Sequence, residues 1–177
     1  KVTPPNRGNQ LKKGALSAQG EWLLFLHADS RLNNNWASKL IEIMNTPLNK
    51  SYAWFFRLKL YKKGVKWYLL QLIIAIRSNI FQRPYGDQGL LINKKLYFEI
   101  GEYKPIYLME DLDLVIRLTK KTKLKCIEAD IKTSTRKYDQ SNIILNALRN
   151  ARLRNEWRKG RKSIDLAKKY YSMNKNN

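Results

Sequence analysis

Three short stretches carry the residue types that chemistry needs. The first is His27-Ala28-Asp29, which follows the unbroken apolar run Trp22–Leu26. In open α/β sheets ligands bind beyond the carboxyl ends of strands, and Asp29 stands at such an end. Hard oxygen donors there suit Mg²⁺ or Mn²⁺, ions that keep several waters while bridging substrate phosphates. The structural alternative is that Asp29 caps the following turn and His27 is a satisfied, half-buried histidine. The second stretch is Glu110-Asp111, directly after Leu108-Met109. Two acids opening a helix are favoured as caps and by the macrodipole. Set in a cleft, such a carboxylate is also a general base for an acceptor hydroxyl. The third is Pro84-Tyr85-Gly86-Asp87-Gln88-Gly89, whose glycines let the backbone approach a ligand while Asp87 and Gln88 hydrogen-bond it. A tight turn alone explains the same composition.

The elements that must position these groups follow from periodicity. Residues 9–18 read as a short helix closed by Gln19 and a left-handed Gly20. Trp22–Leu26 reads as a strand buried on both faces in a parallel sheet. Trp36, Leu40, Ile43 and Met44 lie at helical spacing within residues 35–45, and Pro47 stops that helix. Residues 52–61 alternate, with Arg57 and Lys59 opposite the apolar set, which predicts a half-buried, antiparallel strand. Residues 65–81 read as a helix whose segment Trp67–Ile76 is mostly apolar, either buried or lying in a membrane interface. A short strand Leu90–Asn93 and a helix Lys94–Ile100 follow. A helix over 110–121 places Leu108, Leu112, Val115 and Ile116 on one stripe. Leu124–Ala129 is a further strand, and basic helices over about 141–158 and 163–172 close the chain. Alternating strands and helices indicate an α/β layer fold in one domain, residues 1–177, with 139–177 as a basic helical tail. A parallel strand needs a neighbour, and none precedes Trp22; the chain therefore reads as N-terminally incomplete.

Composition narrows the class. The chain has 177 residues, 35 Lys plus Arg and 14 Asp plus Glu, a formal net charge of +21. Its 5 Trp, 10 Tyr and 5 Phe argue against disorder. The single cysteine, Cys126, excludes a disulfide scaffold and a Cys-based zinc site. It reads as a small buried residue without a role. No stretch reaches the roughly 18 apolar residues of a membrane span, and the first residues lack the apolar core of a signal peptide. The expected location is cytoplasmic. The charge attracts polyanions without choosing among nucleic acid, anionic lipid and phosphate-bearing substrates, and a Lys-rich solvated surface without a specific ligand accounts for it equally.

In order, these stretches resemble the family-2-like nucleotide-sugar glycosyltransferases, and in particular a bacterial branch with GRxxQ-x₃-GA, LLFLHADT, PYGDQG and PLMED motifs. The matching residues are Arg7-Gly8-Asn9-Gln10 with Gly14-Ala15, Leu23–Ser30, Pro84–Gly89 and Leu108–Asp111. Thr133–Tyr138 and the basic helices after it also resemble that branch. The resemblance implies a GT-A (Rossmann-like) mixed sheet flanked by helices. It implies that Asp29 is the metal-binding carboxylate of an Asp-x-Asp motif, with His27 in place of the first Asp. Asp111 is then the catalytic base and Glu110 its supporting acid. Asp87 and Gln88 line the acceptor or donor-sugar side, and Arg7 and Gln10 lie near the donor nucleotide. Two departures stand out. Lys12 occupies a position where the branch usually has Asn, and the nucleoside-gripping strand–helix–strand unit with which relatives begin has no counterpart.

The reaction so implied is a single displacement: a divalent cation, Mg or Mn, at Asp29 neutralises the departing nucleoside diphosphate while Asp111 deprotonates the acceptor hydroxyl. One base without an opposing nucleophile gives inversion. The rival from another class is a non-catalytic basic domain binding nucleic acid or an anionic membrane. A compatible addition is peripheral contact with anionic lipid through Trp67–Ile76 and the helix over 141–158, where Ile144, Leu148 and Ala151 share a stripe beside Arg149, Arg152, Arg154 and Arg158. That contact suits a lipid-linked acceptor; core packing of both helices is the alternative.

Overall fold

The computed structural model describes residues 6–60, 63–133 and 143–175. In chain order the elements are α1 (Arg7–Ser17), β1 (Trp22–Phe25), β2 (Arg31–Leu32), α2 (Trp36–Met44), β3 (Ala53–Leu60), α3 (Val65–Asn79) and β4 (Leu90–Asn93). They continue with α4 (Lys94–Glu99), α5 (Glu110–Lys121), β5 (Leu124–Thr133), α6 (Ile143–Arg158) and α7 (Ser163–Lys175). Most of Thr133–Tyr138 lies outside the described residues, as do the side chains at the start of α6.

The five strands form one mixed sheet in the order β1-β4-β3-β5-β2. Only β3 and β5 run parallel; β1 with β4, β4 with β3 and β2 with β5 are antiparallel. Two expectations are therefore corrected. The run Trp22–Phe25 is not in a parallel pair, and it lies at the edge of the described sheet. Its apolarity has another cause: Leu23 and Phe25 face the helical layer of α1, α4 and α5, while Trp22 and Leu24 face that of α2 and α3. The burial is less than expected, with Leu23 buried, the other three strand residues half-buried and Leu26 exposed; even partial covering on both faces favours apolar residues whatever the direction of the neighbour. For the same reason β3 starts fully buried, Ala53 to Phe56, and alternates only from Arg57 onward. Its antiparallel pairing extends over Ala53 and Trp54, whereas its parallel pairing with β5 spans its length.

The helices begin and end for local reasons. The Asn6 side chain caps α1 by accepting from the Asn9 amide at 2.9 Å. The chain leaves α1 in an extended conformation at Ala18, and Gly20 is not left-handed. The span of α5 matches expectation, but its buried face is Leu112, Leu114, Val115 and Leu118 together with Asp113, while Ile116 is only half-buried. Asp113 is tolerated there because Arg117 donates to it at 2.9 and 2.6 Å and Lys104 at 3.2 Å. Of the α6 stripe, Leu148 and Ala151 are exposed and do not pack into the core, the Ile144 side chain lying outside the described residues; Leu153 is buried. Helix α3 departs most from a buried helix. It gives Trp67, Ile74 and Ser78 to the interior and leaves Val65, Tyr68, Leu69, Leu72, Ile73 and Ile76 in solvent.

Candidate active site

Register brings the first and third stretches together. Phe25 pairs with Leu90, so the end of β1 lies against the start of β4. His27-Ala28-Asp29 turns out of β1, with the Ser30 amide donating to the His27 carbonyl at 3.1 Å. The loop Tyr85–Gly89 runs into β4 from the same end. Gly89 is left-handed, at φ 63°, and a Cβ there would press on Leu26, Phe56 and the Phe25 carbonyl. Gly86 faces the other way: a Cβ on it would coincide with the Asp111 carboxylate and His27 Nε2. The glycine is thus the space in which these two side chains meet the loop.

The first turn of α5 supplies the acids. Its N-cap, Met109, is left-handed at φ 71° with no side-chain cap bond. That is a strained conformation for a non-glycine residue, and it sits directly before Glu110 and Asp111. Arg7, from the start of α1, binds this turn. Its Nη1 lies 3.0 Å from Glu110 Oε1 and 3.3 Å from Asp111 Oδ2, and its Nη2 donates to His27 Nε2 at 2.5 Å. A guanidinium only donates, so His27 Nε2 accepts and the neutral ring carries its proton on Nδ1. Burial and the adjacent Arg7 hold the His27 pKa below its ordinary value, which agrees with a neutral ring. Its Nδ1 lies 3.9 Å from Asp29 Oδ1.

Tyr103 completes the centre. Its hydroxyl donates to Asp111 Oδ1 at 3.3 Å, and burial beside Asp111 pushes its pKa far up, so it remains a donor. Glu110, 4% exposed, has its pKa pushed up to about 7 by burial and by Asp111, against the pull of Arg7. Burial likewise raises Asp87, whose Oδ1 is buried without a hydrogen-bond partner and which feels Arg77, His27 and Asp111. A cavity of about 20 Å³, room for about one water, lies between Tyr85, Gly86, Tyr103 and Asp111. A second of about 240 Å³ opens beyond Arg7 and Asp111 against Met109, Leu153 and Tyr170.

Of the residues singled out in the sequence, Arg7, His27, Asp87, Glu110 and Asp111 come together. Asp29 stands at the rim, its side chain 49% exposed, with His27 and Arg7 between it and Asp111. Gln10 is exposed on α1, and Lys12 pairs with Glu102 at 2.6 Å. Gln88 does not line the cleft. It is buried, accepts from Arg77 Nη2 at 2.9 Å and Ser78 Oγ at 2.6 Å, and donates to the Phe56 carbonyl at 3.3 Å. An amide able to donate and accept at once suits that junction of loop, α3 and β3. Tyr103 and the stacking of the Arg77 guanidinium 3.7 Å from the Tyr85 ring centroid carried no signal in the sequence.

Among the described residues no group of three or more His, Cys, Asp or Glu side chains is arranged to hold a metal. Neither protein-family models nor curated proteins give a match to the chain.

Proposed function

We propose that this chain transfers a sugar, with inversion, from a nucleoside-diphosphate sugar to a hydroxyl acceptor, on a fold of the GT-A type. The observation that carries the reading is the meeting of Asp111, Glu110, His27 and the Gly86 loop at one end of the sheet, from segments far apart in sequence. A core-packed acid pair would have no need of an adjoining cavity, an unfilled Cβ position and a strained N-cap.

Asp111 is the base. Arg7 and Tyr103 each donate to one of its oxygens, which fixes the carboxylate plane and leaves a lone pair on each oxygen for an acceptor hydroxyl. Glu110 shares Arg7 with Asp111. Its neutral form, at pH below about 7, relieves repulsion of the base, while its ionised form competes for the same guanidinium. His27 holds Arg7 from the other side, and Asp87 adds a carboxyl facing the same centre.

Among the described residues, a divalent cation finds a ligand at the rim of this centre. Asp29, exposed and next to His27, offers a carboxylate to an ion that takes its remaining ligands from substrate phosphates and water, the usual arrangement for Mg²⁺. When bound, such an ion supplies charge neutralisation for a leaving diphosphate.

The test is to incubate the chain with a panel of nucleotide sugars and acceptors and follow the anomeric signal by NMR. Consumption of one donor with an inverted product supports the reading. A retained anomeric configuration, or salt-sensitive nucleic-acid binding with no donor consumed, contradicts it.

A further inference from the structure

Most of the exposed apolar residues of α3, with Ile80 just past its end, lie along one side of the helix. Val65, Leu69, Leu72, Ile73, Ile76 and Ile80 recur at spacings of three and four, and all are exposed, from 39% at Ile76 to 77% at Val65. Tyr68 and Phe81, each 66% exposed, join them, so the exposed apolar residues are clustered rather than scattered singly, the kind of surface that marks an interaction site.

The charge of this part of the chain has one sign. Between Glu42 and Asp87 the chain holds eight Lys/Arg and no acid. Lys63 and Lys66 are exposed at the start of α3, whose first turn contains no acid. Cations at a helix N-terminus oppose the macrodipole, so they cost the helix stability locally and point to an anion outside it. A second copy of the chain fits poorly: a self-complementary contact would bring these lysines and a net charge of +21 against their own kind. No described helix is long and apolar enough to cross a membrane. At about 1.5 Å per residue, the 15 residues of α3 span about 22 Å, suited to lying in the plane of an interface.

We propose that α3 docks the protein on an anionic lipid bilayer, its apolar face sunk to the level of the acyl chains and Lys63 and Lys66 among the headgroup phosphates. The docked helix abuts the candidate active site. Arg77 and Ser78, in its last turn, hold Gln88, and Arg77 stacks on Tyr85, next to the glycine that faces Asp111. Docking thus places on the lipid surface the helix whose inner side holds the Gly86 loop. The inference stands on exposure and charge and is independent of sugar transfer.

The test is flotation of the 177-residue chain with vesicles of phosphatidylcholine alone or with three-tenths phosphatidylglycerol. The wild type is expected to float with the anionic vesicles and to be released by high salt. Leu72→Ser/Ile73→Ser, which keeps every charge, should bind at least tenfold more weakly with an unchanged circular dichroism spectrum. Lys63→Gln/Lys66→Gln should weaken binding several-fold and reduce its salt dependence. If the serine variant misfolds, quenching of fluorophores placed one at a time at Leu72 and Ile73 by acyl-chain bromines reads insertion directly, and no quenching overturns the proposal. It is also overturned if the wild type does not float, if the serine variant floats equally well, or if light scattering shows a dimer that the serine variant abolishes without any vesicle binding.

Discussion

Replacing Glu110 by Gln separates the electrostatic cost of the acid pair from its packing. In the folded chain the Glu110 carboxyl is buried beside Asp111, and its pKa rises from an ordinary 4.5 to about 7. Between those two pH values the folded state binds the proton more tightly than the unfolded state. Stability from this group is therefore complete below about pH 4.5, falls as pH rises, and is fully lost above about pH 7. At about 1.4 kcal/mol per pH unit, the loss is about 3 kcal/mol. The glutamine has nearly the same shape and does not titrate. Urea unfolding of both proteins, followed by tryptophan fluorescence from pH 4 to 8.5, should show a variant near wild type in acid and more stable by about 2–3 kcal/mol above pH 8. A difference that stays flat across this range, or that grows toward acid, would refute the reasoning that burial and Asp111 dominate over Arg7 at this carboxyl. In a transfer assay the same substitution should also remove an inflection near pH 7 from the rate profile.

Two further substitutions probe the loop. Gly86→Ala puts a methyl group onto the Asp111 carboxylate and His27; kcat should fall at least tenfold while the urea midpoint moves little, and an unchanged kcat would show that the loop does not bound the reacting space. Gln88→Ala breaks three hydrogen bonds in the interior and should cost about 2–4 kcal/mol of stability, read by urea unfolding; a loss below about 0.5 kcal/mol would mean that the junction is not held by that amide.

Much of the positioning was legible in the sequence because it rests on local rules. Acids opening α5, the alternation after Arg57, and the apolar run ending in His27-Ala28-Asp29 each name an element and an end of it. The direction of strand pairing was not legible. A run such as Trp22–Phe25 reports that both faces are covered, and helices on both sides of a mixed sheet do this as well as parallel neighbours do. Gln88 misled for a related reason: a polar residue in a glycine-flanked loop looks solvent-facing until the loop folds onto a helix offering Arg77 and Ser78. Arg7 and Tyr103 reach the acids from segments whose spacing says nothing of the contact. Helix α3 is apolar nearly all round, so no periodicity could select the face that remains in solvent.

The most direct measurement of the central claim is the turnover number of Asp111→Asn with the donor that the wild type consumes. Asparagine keeps the size and the hydrogen bond from Tyr103 but cannot take a proton from an acceptor. Turnover should fall by roughly 10²–10⁴, the usual contribution of a general base, with little change in the KM for the donor. Turnover within about threefold of wild type would contradict the assignment of Asp111 as the base.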